Sequence, residues 1–199
     1  MLNAAANKIR VNCDQLSKLD SAIGHGAHGT TIARAMGIVE KAVQETDKKE
    51  IKALLNDVGW AVMGVDGGAT GPLLGSFLMG LSDGIAGQAS LDCEAMAAMF
   101  EAGLSSVQNQ TKARVGDKTM MDALIPAVKA FRDASKAGKS IKQALQDAAE
   151  AAKRGALATK DFKARFGRAK NLGDRTLGFQ DPGATSISLL FQGFFEGVA

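Results

Sequence analysis

Asp20 and both histidines of the chain lie together in Leu19-Asp20-Ser21-Ala22-Ile23-Gly24-His25-Gly26-Ala27-His28-Gly29-Thr30-Thr31. Asp20, His25 and His28 are residue types that bind zinc, and two histidines in a short glycine loop are compatible with such a site. No partner residues that would orient them can be recognised in the sequence. The plainer reading has His28 capping a helix and His25 on the surface. Three more segments carry chemistry-bearing residues. Asp66-Gly67-Gly68-Ala69-Thr70-Gly71-Pro72 has paired glycines that let the backbone approach a phosphate, and Thr70 adds a hydroxyl. No Gly-Lys-Thr follows, so it is not a Walker loop; a turn for tight helix packing is the alternative. Gly116-Asp117-Lys118-Thr119-Met120-Met121-Asp122 sets a lysine beside a capped helix start. Met120 and Met121 could join the core or form an apolar slot for a flat ring, and the charges could simply be solvated. Gly167-Arg168-Ala169-Lys170-Asn171-Leu172-Gly173-Asp174-Arg175 leads to Gly178-Phe179-Gln180-Asp181-Pro182-Gly183-Ala184-Thr185-Ser186. Its arginines can fork on a phosphate or stack on a base.

The elements that position these segments are helical. Alanine, leucine, methionine, glutamine, glutamate and lysine dominate, and β-branched runs are absent. The pattern predicts eight helices over 2–19, 29–46, 48–65, 70–87, 91–110, 119–136, 140–159 and 182–197. Ser90 is the expected cap of the fifth. Thr119 with Asp122 and Ser140 with Gln143 read as capping boxes. Asp181-Pro182 reads as an N-cap acid before a first-position proline. All three prolines sit where a helix could begin or bend. The fold class is all-α, an antiparallel up-and-down bundle or barrel, with residues 1–199 as a single domain. In such a bundle every second loop falls at one end. The segments 20–31, 66–72, 114–121 and 167–184 satisfy that parity, so they should build one site. Three of them run into helix amino termini, which suit anions.

Composition narrows the function. At 199 residues with 46% hydrophobic side chains, one domain with a sizeable core is expected. The apolar run from Gly71 to Leu81 is too short to cross a bilayer, and no targeting segment is recognisable, so a cytoplasmic, membrane-free protein is expected. Cys13 and Cys93 form no metal or redox motif and are expected as buried small hydrophobes. The net charge is +3, and the basic excess gathers in 160–170, where it could meet phosphate, nucleic acid or an acidic partner. With no tyrosine and Trp60 alone, base-stacking platforms are lacking, which argues against nucleic acid.

Taken in order, these motifs resemble the L subunit of dihydroxyacetone kinase, over nearly the whole chain. The carriers are Leu19-Asp20 with Ile23-Gly24-x-Gly26-x-His28-Gly29, Gly67-Gly68-Ala69-Thr70-Gly71-Pro72-Leu73, Gly116-Asp117-Lys118-Thr119-Met120, and Gly167-Arg168-Ala169 followed by Asp181-Pro182-Gly183-Ala184-Thr185-Ser186. The resemblance implies an eight-helix barrel with ADP or ATP at one end and Mg2+ beside it. It implies a K subunit that holds the ketose, and either a phosphocarrier protein or ATP as donor. Carried over, Asp20 matches the first of three metal-binding aspartates. His28, Gly29, Thr30 and Thr31 match the phosphate segment, and Ala69 and Thr70 the glycine loop. Gly116, Met121, Arg168, Asp181, Pro182 and Gly183 match the remaining nucleotide contacts.

One departure stands out. The family's Gly-Asp-Gly-Asp-His-Gly reads Gly24-His25-Gly26-Ala27-His28-Gly29 here. Magnesium wants oxygen ligands, His25 offers a nitrogen suited to zinc, copper or nickel, and Ala27 offers nothing. Weakened metal binding and slow transfer are therefore expected, with His25 a doubtful ligand. The enzyme reading is a phosphotransferase subunit acting on the alcohol group of a triose or four-carbon ketose, with no catalytic nucleophile of its own. The other reading is a non-catalytic module acting on a partner such as the K subunit or a transcription regulator. A third is a working subunit disabled by introduced substitutions.

Overall fold

The structure, a computed structural model, describes residues 1–46 and 50–198. Among these residues nine α-helices, two 3-10 segments and no strand are present. They are α1 Leu2–Val11, α2 Cys13–Ile23, α3 His28–Glu45, α4 Ile51–Met63, α5 Thr70–Asp83, α6 Cys93–Gln110, α7 Met121–Lys136, α8 Ile141–Ala158 and α9 Pro182–Glu196. The all-α expectation holds, as eight antiparallel passes. Neighbours in sequence pack side by side, and α1 packs on α9 to close the ring. The expected start of the third helix at 48 falls outside the described residues.

The first pass departs from the single helix predicted over 2–19. It breaks at Asn12 and runs on to Ile23. The Asn12 side-chain amide donates to the Lys8 carbonyl at 2.8 Å, and its main-chain N–H donates to Ile9 at 3.1 Å. An asparagine that bonds its own turn competes with the helical ladder. Both halves of the pass pack between α3 and α9, α1 more closely on α9.

The capping expectations fare unevenly. Ser140 and Gln143 form a complete box, and Asp181 caps α9 by accepting from the Ala184 N–H at 2.7 Å with Pro182 at the first position. Ser90 does not cap α6; Asp92 does, accepting from Ala95 at 2.8 Å. An aspartate next to the first turn is the better acceptor and complements the helix dipole. At α7, Asp122 accepts from the Thr119 N–H at 2.7 Å, while the Thr119 hydroxyl accepts from Met121 rather than three residues on.

The core is aromatic at its centre. Phe100 meets Phe131 edge-on at 5.0 Å between centroids, and Phe191 meets Phe194 at 5.6 Å. Phe77, Phe100, Phe131 and Phe191 are fully buried, each stabilising the fold by about 1.5–3 kcal/mol. Pro126 lies inside α7, past its first turn. Lacking an N–H, it leaves the Asp122 carbonyl without its helical donor. The Gly155 backbone packs there so closely that a Cβ would lie 2.0 Å from that oxygen. Cys13 and Cys93 are free and half-buried, not buried as expected, because each opens a helix at the edge of the bundle. No helix among the described residues is long and apolar enough to cross a membrane. The amino group of Met1 lies 3.5 Å from the Gly197 carbonyl, and Lys8 pairs with Glu196 at 2.5 Å.

Candidate functional site

The loops following α2, α4, α6 and α8 all reach one pole, as the parity argument requires, and together they wall a cavity of about 620 Å³. Asp20, His25, His28, Thr31, Ala69, Thr70, Met121, Arg168, Asp181, Pro182 and Gly183 line it. Three of the residues singled out in the sequence do not. Gly29 is buried in the α2–α3 contact, where a Cβ would lie 2.1 Å from the Cys13 carbonyl. Thr30 is exposed and donates its hydroxyl to Ala27 at 3.0 Å. Gly116 lies behind the wall with φ +99, donating its N–H to Asp122 at 2.6 Å. The first two face away because consecutive residues of α3 point in different directions.

Asp20 is half-buried in the cavity wall. Its Oδ2 accepts the His28 main-chain N–H at 3.0 Å and lies 3.4 Å from His25 Nδ1. A Cβ on Gly24 would lie 2.4 Å from its Oδ1, so that oxygen packs against the loop backbone. Asp20 thus does the capping expected of His28. The His28 ring is held between α5 and α9. Its Nε2 is 3.2 Å from the Ser186 hydroxyl, which itself donates to the Gly183 carbonyl at 2.9 Å, and its Nδ1 is 3.4 Å from the Thr70 hydroxyl. This pattern fits a neutral ring protonated at Nε2. Burial lowers the ring's pKa, against the upward pull of the Asp20 carboxylate and the Pro182 backbone. The His25 side chain is 55% exposed, as the plainer reading has it.

The glycine loop is shaped for close approach. Gly67 and Gly68 have φ of +138 and +71. A Cβ on Gly67 would strike the Thr31 side chain at 2.5 Å, whereas one on Gly68 would meet nothing. Gly68 is therefore required for its backbone conformation. Arg34 anchors the loop from α3, donating to the Asp66 carbonyl at 2.8 Å. Both α3 and α5 begin at the cavity; α3 is capped by Asp20, whereas α5 has no side-chain cap.

The opposite wall differs most from the sequence reading. Lys118 is 2% exposed, not solvated, with φ +59. Its ammonium donates to the Thr159 and Phe179 carbonyls and ties the start of α7 to the segment ahead of α9. Burial lowers its pKa, opposed by Asp181, Asp122 and Asp161. Asp122 is 0% exposed, and burial raises its pKa against two N–H donors, Thr119 and Gly116. Asp181 is pushed up to about 7, first by burial and further by Asp122, while the Ala184 and Gly183 N–H groups and Lys118 pull it down. The Thr159 hydroxyl accepts the Asp181 N–H at 2.8 Å.

Segment 160–181 folds on itself. Gly178 donates to the Lys160 carbonyl at 2.8 Å, and the Thr176 hydroxyl accepts from Ala164 and donates to Gly173. The basic stretch is partly neutralised, with Lys163 on Asp174 at 2.9 Å and Arg165 on Asp117 at 3.7 Å. Among the described residues Arg168 has no ion pair; it is exposed and edges the cavity. Met120, Met121 and Phe166 supply an apolar side. Lys118, Ser186 and Phe166 were not among the predicted site residues. Lys118 had a signal in its position two residues after Gly116 and just before a helix start. Phe166 had none.

The donor set does not fit a pair of hard divalent cations. Among the described residues no three His, Cys, Asp or Glu side chains come together to hold a metal. A nucleotide fits better, since the cavity offers glycine backbone, the uncapped start of α5, an arginine and an apolar side.

Fold and cavity define an all-helical domain with its site at one pole. The family described as DAK2 domain matches residues 22–196, and the chain belongs to it. It is 33% identical over 195 residues to the PEP-dependent dihydroxyacetone kinase 1, ADP-binding subunit DhaL, of Listeria innocua, covering 98% of this chain and 92% of that protein. It is 36% identical over 179 residues to the PEP-dependent dihydroxyacetone kinase ADP-binding subunit DhaL of Escherichia coli, covering 90% and 85%. It is 32% identical to the L-erythrulose kinase of Pectobacterium atrosepticum, covering 95% of this chain and 32% of that one. The crystal structure of the dihydroxyacetone kinase of C. freundii superposes with a TM-score of 0.75 at 25% identity, over 98% of this chain and 33% of the kinase. The same kinase in complex with AMP-PNP and Mg2+ gives 0.73.

Proposed function

We propose that this chain is the ADP- or ATP-binding subunit of a kinase for dihydroxyacetone or a related short ketose. The observation that carries the reading is the four-loop cavity at one pole of a DAK2-family barrel. In this reading the N–H groups of the Gly67–Thr70 loop, at the start of α5, receive the phosphates. Thr70 adds a hydroxyl, Arg168 forks on a phosphate oxygen, and the Asp181-Pro182-Gly183 turn closes the wall. Met120 and Met121 flank the base. No residue here acts as a nucleophile, so the acceptor is held by a partner K subunit. The relatives named PEP-dependent support a phosphocarrier donor beside free ATP.

Magnesium would supply charge neutralisation on the transferred phosphoryl group. Here only Asp20 stands where the family has three aspartates, and its Oδ2 already accepts the His28 N–H. Transfer by the native chain with a K subunit, dihydroxyacetone and Mg-ATP is therefore expected to be slower by orders of magnitude than in subunits with all three aspartates. The test is the coupled assay on the native chain and on His25→Asp with Ala27→Asp. Normal turnover by the native chain overturns the impairment. The missing carboxylates at His25 and Ala27 also favour a second reading, a non-catalytic module that acts by binding a partner. Activity appearing in the double variant supports the impaired subunit; nucleotide binding without activity in that variant supports the module.

A further inference from the structure

The cavity's charges balance in a way that suits a different form of the ligand. Its carboxylates are Asp20 and Asp181, and its cations are Lys118 and Arg168. Loop 24–27 carries no carboxylate at all; His25 and Ala27 occupy the positions where the family's pattern is acidic. Asp20, the remaining acid beside that loop, caps α3 through Oδ2 and packs Oδ1 against Gly24. A triad of aspartates repels a bare polyphosphate and requires divalent ions between the two. Removing two of the three charges lifts that repulsion, each worth about tenfold in affinity for an unmetallated phosphate at a separation of several ångströms. The groups left at the phosphate end are the backbone of the Gly67–Gly68 turn and the uncapped start of α5, with Arg168 at the edge. These recognise phosphate oxygens directly, without a metal.

We infer that this site takes the nucleoside di- or triphosphate in its metal-free form, so magnesium competes for the ligand instead of bridging it to the protein. The inference rests on the nucleotide reading of the cavity. It differs from slow phosphoryl transfer, because it concerns binding alone.

The test is calorimetric titration of ADP, and separately ATP, into the full chain in EDTA and in excess MgCl2. Affinity in EDTA equal to or greater than in magnesium is the expected result. Affinity that falls about tenfold or more on chelation overturns the inference and leaves the nucleotide reading standing. Absence of binding in both buffers overturns the nucleotide reading, and the inference with it. The His25→Asp/Ala27→Asp double variant supplies an independent arm. It should lose about tenfold or more in EDTA and bind more tightly when magnesium is added. A double variant that binds bare ADP as well as the native chain refutes the charge argument.

Discussion

Lys118 and Asp181 show how far a single residue's setting can depart from its type. Lysine is almost never fully buried unless paired, and a non-glycine residue at positive φ is uncommon. Lys118 is both, because two main-chain carbonyls receive its ammonium and join the start of α7 to the entry of α9. Asp181, beside it, has a pKa raised from the ordinary 3.8 to about 7, chiefly by burial. A raised acid favours the protonated fold, so its contribution to stability is complete below about pH 4 and is lost as pH rises through about 7. Asp181→Asn keeps an acceptor for the Ala184 N–H but does not titrate. In urea unfolding, the native chain should lose stability relative to this variant between about pH 4 and pH 8. Asp122, raised by burial, and Lys118, lowered by burial, remain in both proteins, so the difference reports Asp181. A gap that is constant with pH, or that grows in favour of the native chain, would contradict the assignment.

At the scale of elements, close helix packing is bought with small residues. Gly29→Ala would place a Cβ 2.1 Å from the Cys13 carbonyl and 2.8 Å from the Ser17 nitrogen, both backbone atoms that cannot swing aside. The expected cost is about 1–3 kcal/mol, lowering Tm by about 2–4 °C per kcal/mol in a chain of this size. Gly68→Ala meets no atom, so its cost is the left-handed backbone alone, about 1–2 kcal/mol, and it should weaken ADP binding more than Gly29→Ala does. Thermal melts and ADP titration of the pair separate packing from recognition; equal loss of binding in both would speak against the loop's role. The helices themselves were legible because apolar periodicity is local. The break at Asn12 was not, because both flanks carry helical pattern and the Lys8 contact decides it. Segment 160–181 was also illegible as structure. Its 3-10 turns depend on Gly178 reaching Lys160 and Thr176 reaching Ala164, pairings that no window of sequence contains. Parity brought the right loops together, but the facing of each residue within them depends on helix phase. That is why Gly29 and Thr30 fell outside the cavity; Gly116, Lys118 and Phe166 lie in loops, whose facing no periodicity encodes.

The whole molecule is a ring of antiparallel passes closed where α1 meets α9, and its two poles differ. The cavity occupies the pole where α3, α5, α7 and α9 begin. Met1 and Gly197 meet at the other, about 22 Å away along the length of α9. The contact is tight, since a Cβ on Gly197 would lie 2.8 Å from the Met1 Cα. Such a molecule has no topological beginning. A circular permutant joining residue 198 to Met1 through a short glycine linker, and opened at exposed Gly138 between α7 and α8, should fold with nearly the native Tm and bind ADP unchanged. Loss of cooperative melting would show that the first pass must be made first. Cargo fused beside Met1 or Gly197, or at Gly138, would hang from the same pole, leaving the cavity mouth open.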